Sequence, residues 1–337
     1  MAFDDRDTPA PDRRVTLTLL IVLLSEVILV FSADYFASVY ASIAAFFMIP
    51  AAIGGLFSQL SDPFGRQAPM GCFVFPTLAL LAIVAVAWLV FGEGVICIAM
   101  VLPLWVPAAV VGAVVNRYNA RRNRRFNDLS RMNSVAWLAL PLLLITTEAA
   151  VPPDWQHRSV VREIVIEAGP DDVWPFLLSV PNISEHEGRT NFTQDILGVP
   201  KPTNATLVMR QGTLVRIAHW GTDLSFEEVV TENKPGKRLG WRFVFPDESV
   251  QHHTDRHISP DGPLLKIESG RYDLQALDNG GARLRLTTTY RMKTRLSAYL
   301  GWWGERLLGD VENNVLTVIK DRAEGRESKA ASGSSAI

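Results

Sequence analysis

Hydrophobic residues are spread along this 337-residue chain in two unlike ways. Up to about residue 150 they come as long unbroken runs, at 15–33, 36–60, 70–92, 95–116 and 132–150, each near the ~20 apolar residues that cross a ~30 Å hydrocarbon layer. The pattern predicts five membrane-spanning helices, an all-α bundle over 1–150. Pro141 interrupts the last run, which a bundle tolerates where neighbouring groups satisfy the freed carbonyls. A Pro-containing linker follows at 151–158.

From residue 159 the runs give way to alternation. "SVVREIVIEA" (159–168) is rich in β-branched residues and reads as a strand. In "GPDDVWPFLLSV", Pro170 and a pair of aspartates open a short helix, with Val173, Phe176 and Leu177 at helical spacing. Residues 182–204 are rich in loop formers. Strands are predicted near 205–211, 213–220, 223–231, 238–246, 263–277 and 282–293. A long helix over 295–323 carries Leu296, Leu300, Trp303, Leu307, Val311, Val315 and Val318 on one stripe. A single antiparallel sheet with one long amphipathic helix must bury one face of each against the other, an α+β domain over 159–325. The last residues, 326–337, are expected to be disordered.

Charge adds orientation. The formal net charge of −2 gives no overall basic field, so nucleic acid is not an expected partner. Arg6, Arg13 and Arg14 precede the first run. Arg66 lies between the second and third, and Arg117, Arg121, Arg122, Arg124, Arg125 and Arg131 lie between the fourth and fifth, whereas the alternate loops lack basic residues. Basic loops stay cytoplasmic. The amino terminus is therefore expected inside, and five spans put everything after Val151 outside. With the Ala-, Val- and Arg-rich composition, this reads as a multi-pass protein of a bacterial inner membrane with a periplasmic carboxyl-terminal domain. Glu26, inside the first run, is a costly charge at membrane depth, a candidate functional residue that reads more readily as a protonated or helix-paired structural group. No second intramembrane charge of comparable depth accompanies it.

The chemistry concentrates in "RIAHWGTDLSFEEV" (216–229). If Gly221 and Thr222 form a two-residue hairpin loop, Ile217 opposes Phe226 and Arg216 opposes Glu227. Val215, Ile217, Leu224, Phe226 and Val230 then share the apolar face, Arg216 and Glu227 pair on the other, and His219 and Glu228 turn inward. Buried polar groups need partners, so Glu228 and His219 are the candidate ligand-facing or acid–base residues. Four residues at ~3.3 Å each separate them, which excludes direct proton relay between the two. Leu239, Trp241, Phe243 and Phe245 share one side of their strand. Leu284, Leu286, Thr288 and Tyr290 do so on theirs, with Arg283, Arg285 and Arg291 opposite. In "LLKIESGRYDL" the apolar parity changes between Ile267 and Tyr272, predicting a bulge at Gly270. The pattern fits a ligand cavity and a solid core equally.

Other motifs are weak. "HHTDRH" (252–257) has a metal-like look but no partner at ligand spacing, so no metal site is expected there. No phosphate-cradling loop, serine elbow or Cys/His nucleophile pattern occurs, and no cofactor is implied.

The element order, with "IVIEAGPDDVWPFLLSV", "HWGTDLSFEEVVTENKPGKRLGWRF" and "LTTTYRMKTRLSAYLGWWGERLLGDVENNVLTVIKDRAE", resembles the SRPBCC or START-like superfamily, in its polyketide cyclase/dehydrase and lipid-transport branches, over about 155–325. The resemblance implies a helix-grip fold with a deep cavity for an apolar ligand beneath the long helix. The amino-terminal half resembles no family. The expectation is a membrane-anchored binding domain that takes a lipid or other hydrophobic small molecule between Phe226, Trp241, Phe243, Tyr290 and Trp303, with Glu228, His219 and Arg271 as polar groups. The alternatives are a cyclase or dehydratase using Glu228 or His219 as general acid or base, and a ligand sensor or interaction module.

Overall fold

The computed structural model describes residues 42–62, 70–86, 94–122 and 143–145, a few positions between these, and 150–325 without 248 and 251–259. The predicted span 15–33, most of 132–150, Glu26, Arg124, Arg125, Arg131, the 252–257 cluster and the tail 326–337 lie outside the described residues. The chain divides into two compact units near Pro153.

The first unit holds α1 (Ile43–Ser61), α2 (Gly71–Val86) and α3 (Val95–Arg122). Among the described residues only α3 is long and apolar enough to cross a membrane, while α1 and α2 contribute shorter apolar stretches, Phe46–Ser61 and Phe73–Val86. Five qualifying spans were expected; the described residues supply one. The fourth run is longer than predicted. The described α2 ends at Val86, and α3 continues past residue 116 through a polar turn, where Arg121 and Arg122 sit against the negative end of the helix dipole. Helices α1 and α3 touch backbone to backbone: a β-carbon on Gly54 would overlap Ala109, and one on Gly112 would overlap Ala51. Beside this contact Ser58 Oγ donates to the Ala113 carbonyl at 3.4 Å and accepts from Asn116 Nδ2 at 3.4 Å. Small residues at the crossing let the two helix backbones approach this closely.

The second unit is one antiparallel sheet gripped by one helix. Its strands are β1 (Gln156–Ile166), β2 (Pro202–Arg210), β3 (Thr213–Trp220), β4 (Leu224–Lys234), β5 (Arg238–Val244), β6 (Leu265–Ala276) and β7 (Ala282–Met292), arranged β1-β7-β6-β5-β4-β3-β2. A short helix, α4 (Pro170–Leu178), and a five-residue π-helical turn (Phe192–Ile196) lie between β1 and β2. The final helix, α5, spans Ser297–Ala323. This architecture fits a helix-grip fold, as expected.

Alternation sets the two faces of the sheet. In β7 the side chains of Ala282, Leu284, Leu286, Thr288, Tyr290 and Met292 are buried, and the arginines between them point outward. On that outer face Glu163 meets Arg285 at 2.8 Å and Arg283 at 3.4 Å, Glu268 meets Arg291 at 3.0 Å, and Asp273 meets Arg238 at 2.6 Å. Cross-strand charge pairs of this kind keep a solvated face in register. The inner face carries a core of Ile166, Val173, Leu177, Leu239, Tyr272, Leu284, Leu316 and Ile319, drawn from β1, α4, the central strands and α5.

The parity change in β6 is real, but the register shift falls between Ile267 and Ser269, so Glu268 is the extra residue. Gly270 has a different reason for being glycine: a β-carbon there would run into the Trp241 indole. The helix lies close to β1 for a similar reason, because Gly301 and Gly309 leave space over which the Arg158 and Arg162 side chains lie.

Candidate functional site

Between α5 and the inner face of strands β2 to β7 a partly open cavity of about 220 Å³ remains. Its walls are aromatic on the strand side. Phe226, Phe243 and Phe245 form a cluster with ring centroids 5.8 Å to 6.2 Å apart, and Trp220 stands edge-on to Phe226 at 5.6 Å. The helix contributes Leu308, Val311, Val315, Val318 and Ile319.

The connection from Ser179 to Lys201 closes one side, and polar bonds hold it to the helix. Asp310 accepts from the Thr193 backbone at 3.2 Å and its hydroxyl at 3.0 Å. Asn314 takes the Arg189 N–H at 2.8 Å and gives a bond to Gln194 Oε1 at 2.8 Å. Arg322 pairs with Glu187 at 2.8 Å and donates to the Pro181 and Asn182 carbonyls. Val180, Ile183 and Val199 from this segment line the cavity.

A buried ion pair forms part of the wall. Arg216 on β3 and Glu228 on β4 stand opposite each other in register and are joined through Arg216 Nε. Both are buried, with side chains 7% and 8% exposed. Arg216 also donates to the Leu177 carbonyl at 2.5 Å, and its guanidinium lies 4.8 Å from the centroid of Trp241 and 5.4 Å from that of Tyr272. Burial alone would favour the neutral guanidine, but the attraction of Glu228 and the nearby Tyr272 outweighs it and holds Arg216 firmly protonated. Burial likewise pushes the Tyr272 phenol above its ordinary value.

This pair corrects the predicted hairpin. The turn has three residues, Gly221 to Asp223, so Trp220 pairs with Leu224, Ala218 with Phe226 and Arg216 with Glu228. A shift of one residue turns every side chain of β3 over. Arg216, Ala218 and Trp220 therefore face the cavity, whereas Ile217 and His219 face the other way. Glu227, expected to pair with Arg216, binds Arg210 on the outer face.

The other expected site residues fall into two groups. Phe226, Trp241, Phe243 and Glu228 line the cavity together, as the strand patterns predict. His219 is exposed, opposite Ser225, and does not line the cavity. Arg271 is also exposed, bound to Asp273 at 2.8 Å, because the bulge at Glu268 gives the inward position to Tyr272. Tyr290 and Trp303 are buried but do not line the cavity. Tyr290 packs with Val160 and Met292 under the first half of α5, where Gly304 admits its hydroxyl, and Trp303 packs on Trp302 at 5.1 Å.

One cavity residue escapes the predicted helix stripe. Glu312 is 3% exposed and lines the cavity beside Thr288, which stands close to the carboxyl group without making a well-formed hydrogen bond to either oxygen; no other described residue makes one. Burial raises its pKa to about 8, although Thr288 and Arg162 both favour the ionised form. The signal was present in the sequence: Leu308, Glu312, Leu316 and Ile319 form an i, i+4, i+8, i+11 row that runs beside the predicted stripe and widens the inward face. No group of metal-ligating side chains occurs among the described residues.

No family model matches the chain, and no curated relative does. Solved structures similar to it match at low identity and low TM-score. The di-domain ARO/CYC BexL of the BE-7585A biosynthetic pathway is 16% identical, with a TM-score of 0.33, over 64% of this chain and 63% of that one. The chain thus spans less than two thirds of BexL. The Zhui aromatase/cyclase of a Streptomyces species is 19% identical, with a TM-score of 0.28, over 51% of this chain and 96% of that one. Norcoclaurine synthase from Thalictrum flavum is 10% identical, with a TM-score of 0.31, over 49% of this chain and 86% of that one.

Proposed function

We propose that this protein is a membrane-anchored binding protein that holds a small hydrophobic molecule in the cavity between α5 and the sheet. The observation that carries the reading is the cavity: about 220 Å³ with an aromatic and aliphatic lining and one internally neutralised ion pair. Concave apolar sites with few polar groups are the usual form of small-molecule sites. The volume lies below the ~300–1,000 Å³ typical of drug-sized ligands, which favours a compact aromatic or short-chain molecule over a whole membrane lipid.

The anchoring half of the proposal is supported by the apolar runs, by the close α1–α3 crossing at Gly54 and Gly112, and by the spacing of the arginine-bearing loops. On that reading the binding domain stands at the periplasmic face of a bacterial inner membrane, where ligands can pass from the bilayer without full exposure to water. The acid–base alternative is less well supported. His219 points out of the sheet, and the Glu228 carboxylate is engaged by Arg216.

The test is binding of ethylbenzene to the full chain held in amphipol, measured by titration calorimetry. Ala218 is buried and lines the cavity, so Ala218→Trp fills the space from within. Saturable binding by the wild type, weakened at least tenfold by Ala218→Trp, supports the proposal. Absence of binding to the wild type, or binding indifferent to the substitution, overturns it.

A further inference from the structure

Glu312 is an ionisable side chain at the cavity wall, with Thr288 beside it as its polar neighbour. It is 3% exposed, and neither of its oxygens makes a well-formed hydrogen bond among the described residues. Its surroundings on α5 are Leu308, Val311 and Val315, and across the cavity Ile267, Leu286 and Thr288. A native fold rarely leaves a buried polar group unmet, because the group loses water and gains nothing in return. A fold that keeps such a group at the wall of a cavity has left a position for a partner that arrives from outside.

The other polar groups of the cavity do not compete for that partner. Arg216 gives its donors to Glu228 and the Leu177 carbonyl and lies over two rings, so the pair is satisfied internally. The charged and titratable groups facing Glu312 are Arg162 from β1, Tyr272 from β6 and Glu305 from its own helix. Arg162 is engaged with Glu305 at 2.6 Å and with its backbone carbonyl at 3.1 Å. Among the described residues no cation is therefore committed to Glu312, and an isolated carboxylate in this apolar wall would be expensive. In its neutral form the group offers one O–H donor.

We propose that Glu312 is a ligand-recognition residue that, as a neutral carboxylic acid, donates a hydrogen bond to a carbonyl oxygen of the bound hydrophobic molecule. The site thus prefers a ketone-type ligand over a hydrocarbon of the same shape and over an amine. This rests on the cavity reading above and adds the chemical class of its occupant.

The test uses three probes of one shape, ethylbenzene, acetophenone and benzylamine, titrated into the full chain in amphipol at pH 6, 7 and 9. The quantity read is the acetophenone affinity divided by that of ethylbenzene, compared between proteins so that the differing hydration of the probes cancels. In Glu312→Leu the ratio falls roughly 3- to 10-fold from the wild-type value, the loss of one net hydrogen bond, while ethylbenzene still binds. Glu312→Gln, which keeps a donor and the shape, retains most of the ratio. The wild-type ratio declines between pH 7 and 9, and that of Glu312→Gln does not.

An unchanged ratio in Glu312→Leu overturns the proposal while leaving the cavity reading standing, provided ethylbenzene binds. A benzylamine affinity that exceeds that of acetophenone and grows as pH rises from 6 to 9 also overturns it, since that is the behaviour of a carboxylate. Failure of all three probes to bind the wild type removes the cavity reading itself.

Discussion

Breaking the Arg216–Glu228 pair one partner at a time, and then replacing both, tests how the cavity wall is held together. The two side chains are 7% and 8% exposed, bonded to each other, with Arg216 also anchoring the Leu177 carbonyl at the end of α4. Glu228→Leu leaves a guanidinium buried against Trp241 and Tyr272 without a counter-charge. Removing one member of such a pair costs about 3–5 kcal/mol. For a domain of this size each kcal/mol moves the melting temperature by about 2–4 °C, so the loss is roughly 6–20 °C. Arg216→Met has the reciprocal effect, with the Leu177 carbonyl left unmet as well. The double variant Arg216→Met with Glu228→Leu removes both charges and restores packing, and it recovers most of that loss, because apolar replacement of a buried pair is often neutral or stabilising. Thermal unfolding of the full chain in amphipol, followed by near-ultraviolet circular dichroism, measures all four proteins. If the single variants melt within about 2 °C of the wild type, the pair is not desolvated as described. If the double variant is as unstable as the sum of the singles, the energetics rest on something other than mutual charge compensation.

Two further outcomes follow from the same geometry. Glu312 has an unfolded-state pKa near 4.5 and a folded value raised to about 8, so the folded protein binds the extra proton and its stability falls as pH rises from about 4.5 to about 8. Each pH unit inside that window costs up to about 1.4 kcal/mol. Glu312→Gln lacks this slope, so its melting temperature minus that of the wild type widens between pH 5 and pH 8, and a constant difference would show that Glu312 does not carry a buried proton. Gly270→Ala places a methyl group in the Trp241 indole and costs about 1–3 kcal/mol, read as a lower midpoint in the same melts together with a changed tryptophan emission. A neutral result would mean the indole has room to move.

Much of the second unit was legible from period-2 alternation. The β7 segment "ARLRLTTTYRM" could be sorted into a buried and a charged face before any coordinates, because each strand residue alternates sides and the arginines cannot be buried without partners. Phe226, Trp241, Phe243 and Glu228 reached their places for the same reason. Trp303 was correctly expected to be buried, but burial does not tell a core position from a cavity wall.

What remained hidden were quantities that differ by a single residue. Whether the β3–β4 turn holds two residues or three is a matter of how the sheet closes, yet it decides whether Arg216 or Ile217 and His219 face the ligand space. The extra residue in β6 is Glu268 rather than Gly270, and that placement sends Arg271 outward and Tyr272 inward. The predicted helix stripe does face the cavity at Val311, Val315 and Val318, but the inward face is wider than the stripe and includes Glu312. Periodicity thus determined which segments form strands and helices and which faces are apolar, since those depend on local spacing and the cost of burying charge. Only the tertiary structure decided register, and with it the polar groups of the cavity, because register is settled by the summed packing of strands and helix far apart in the chain.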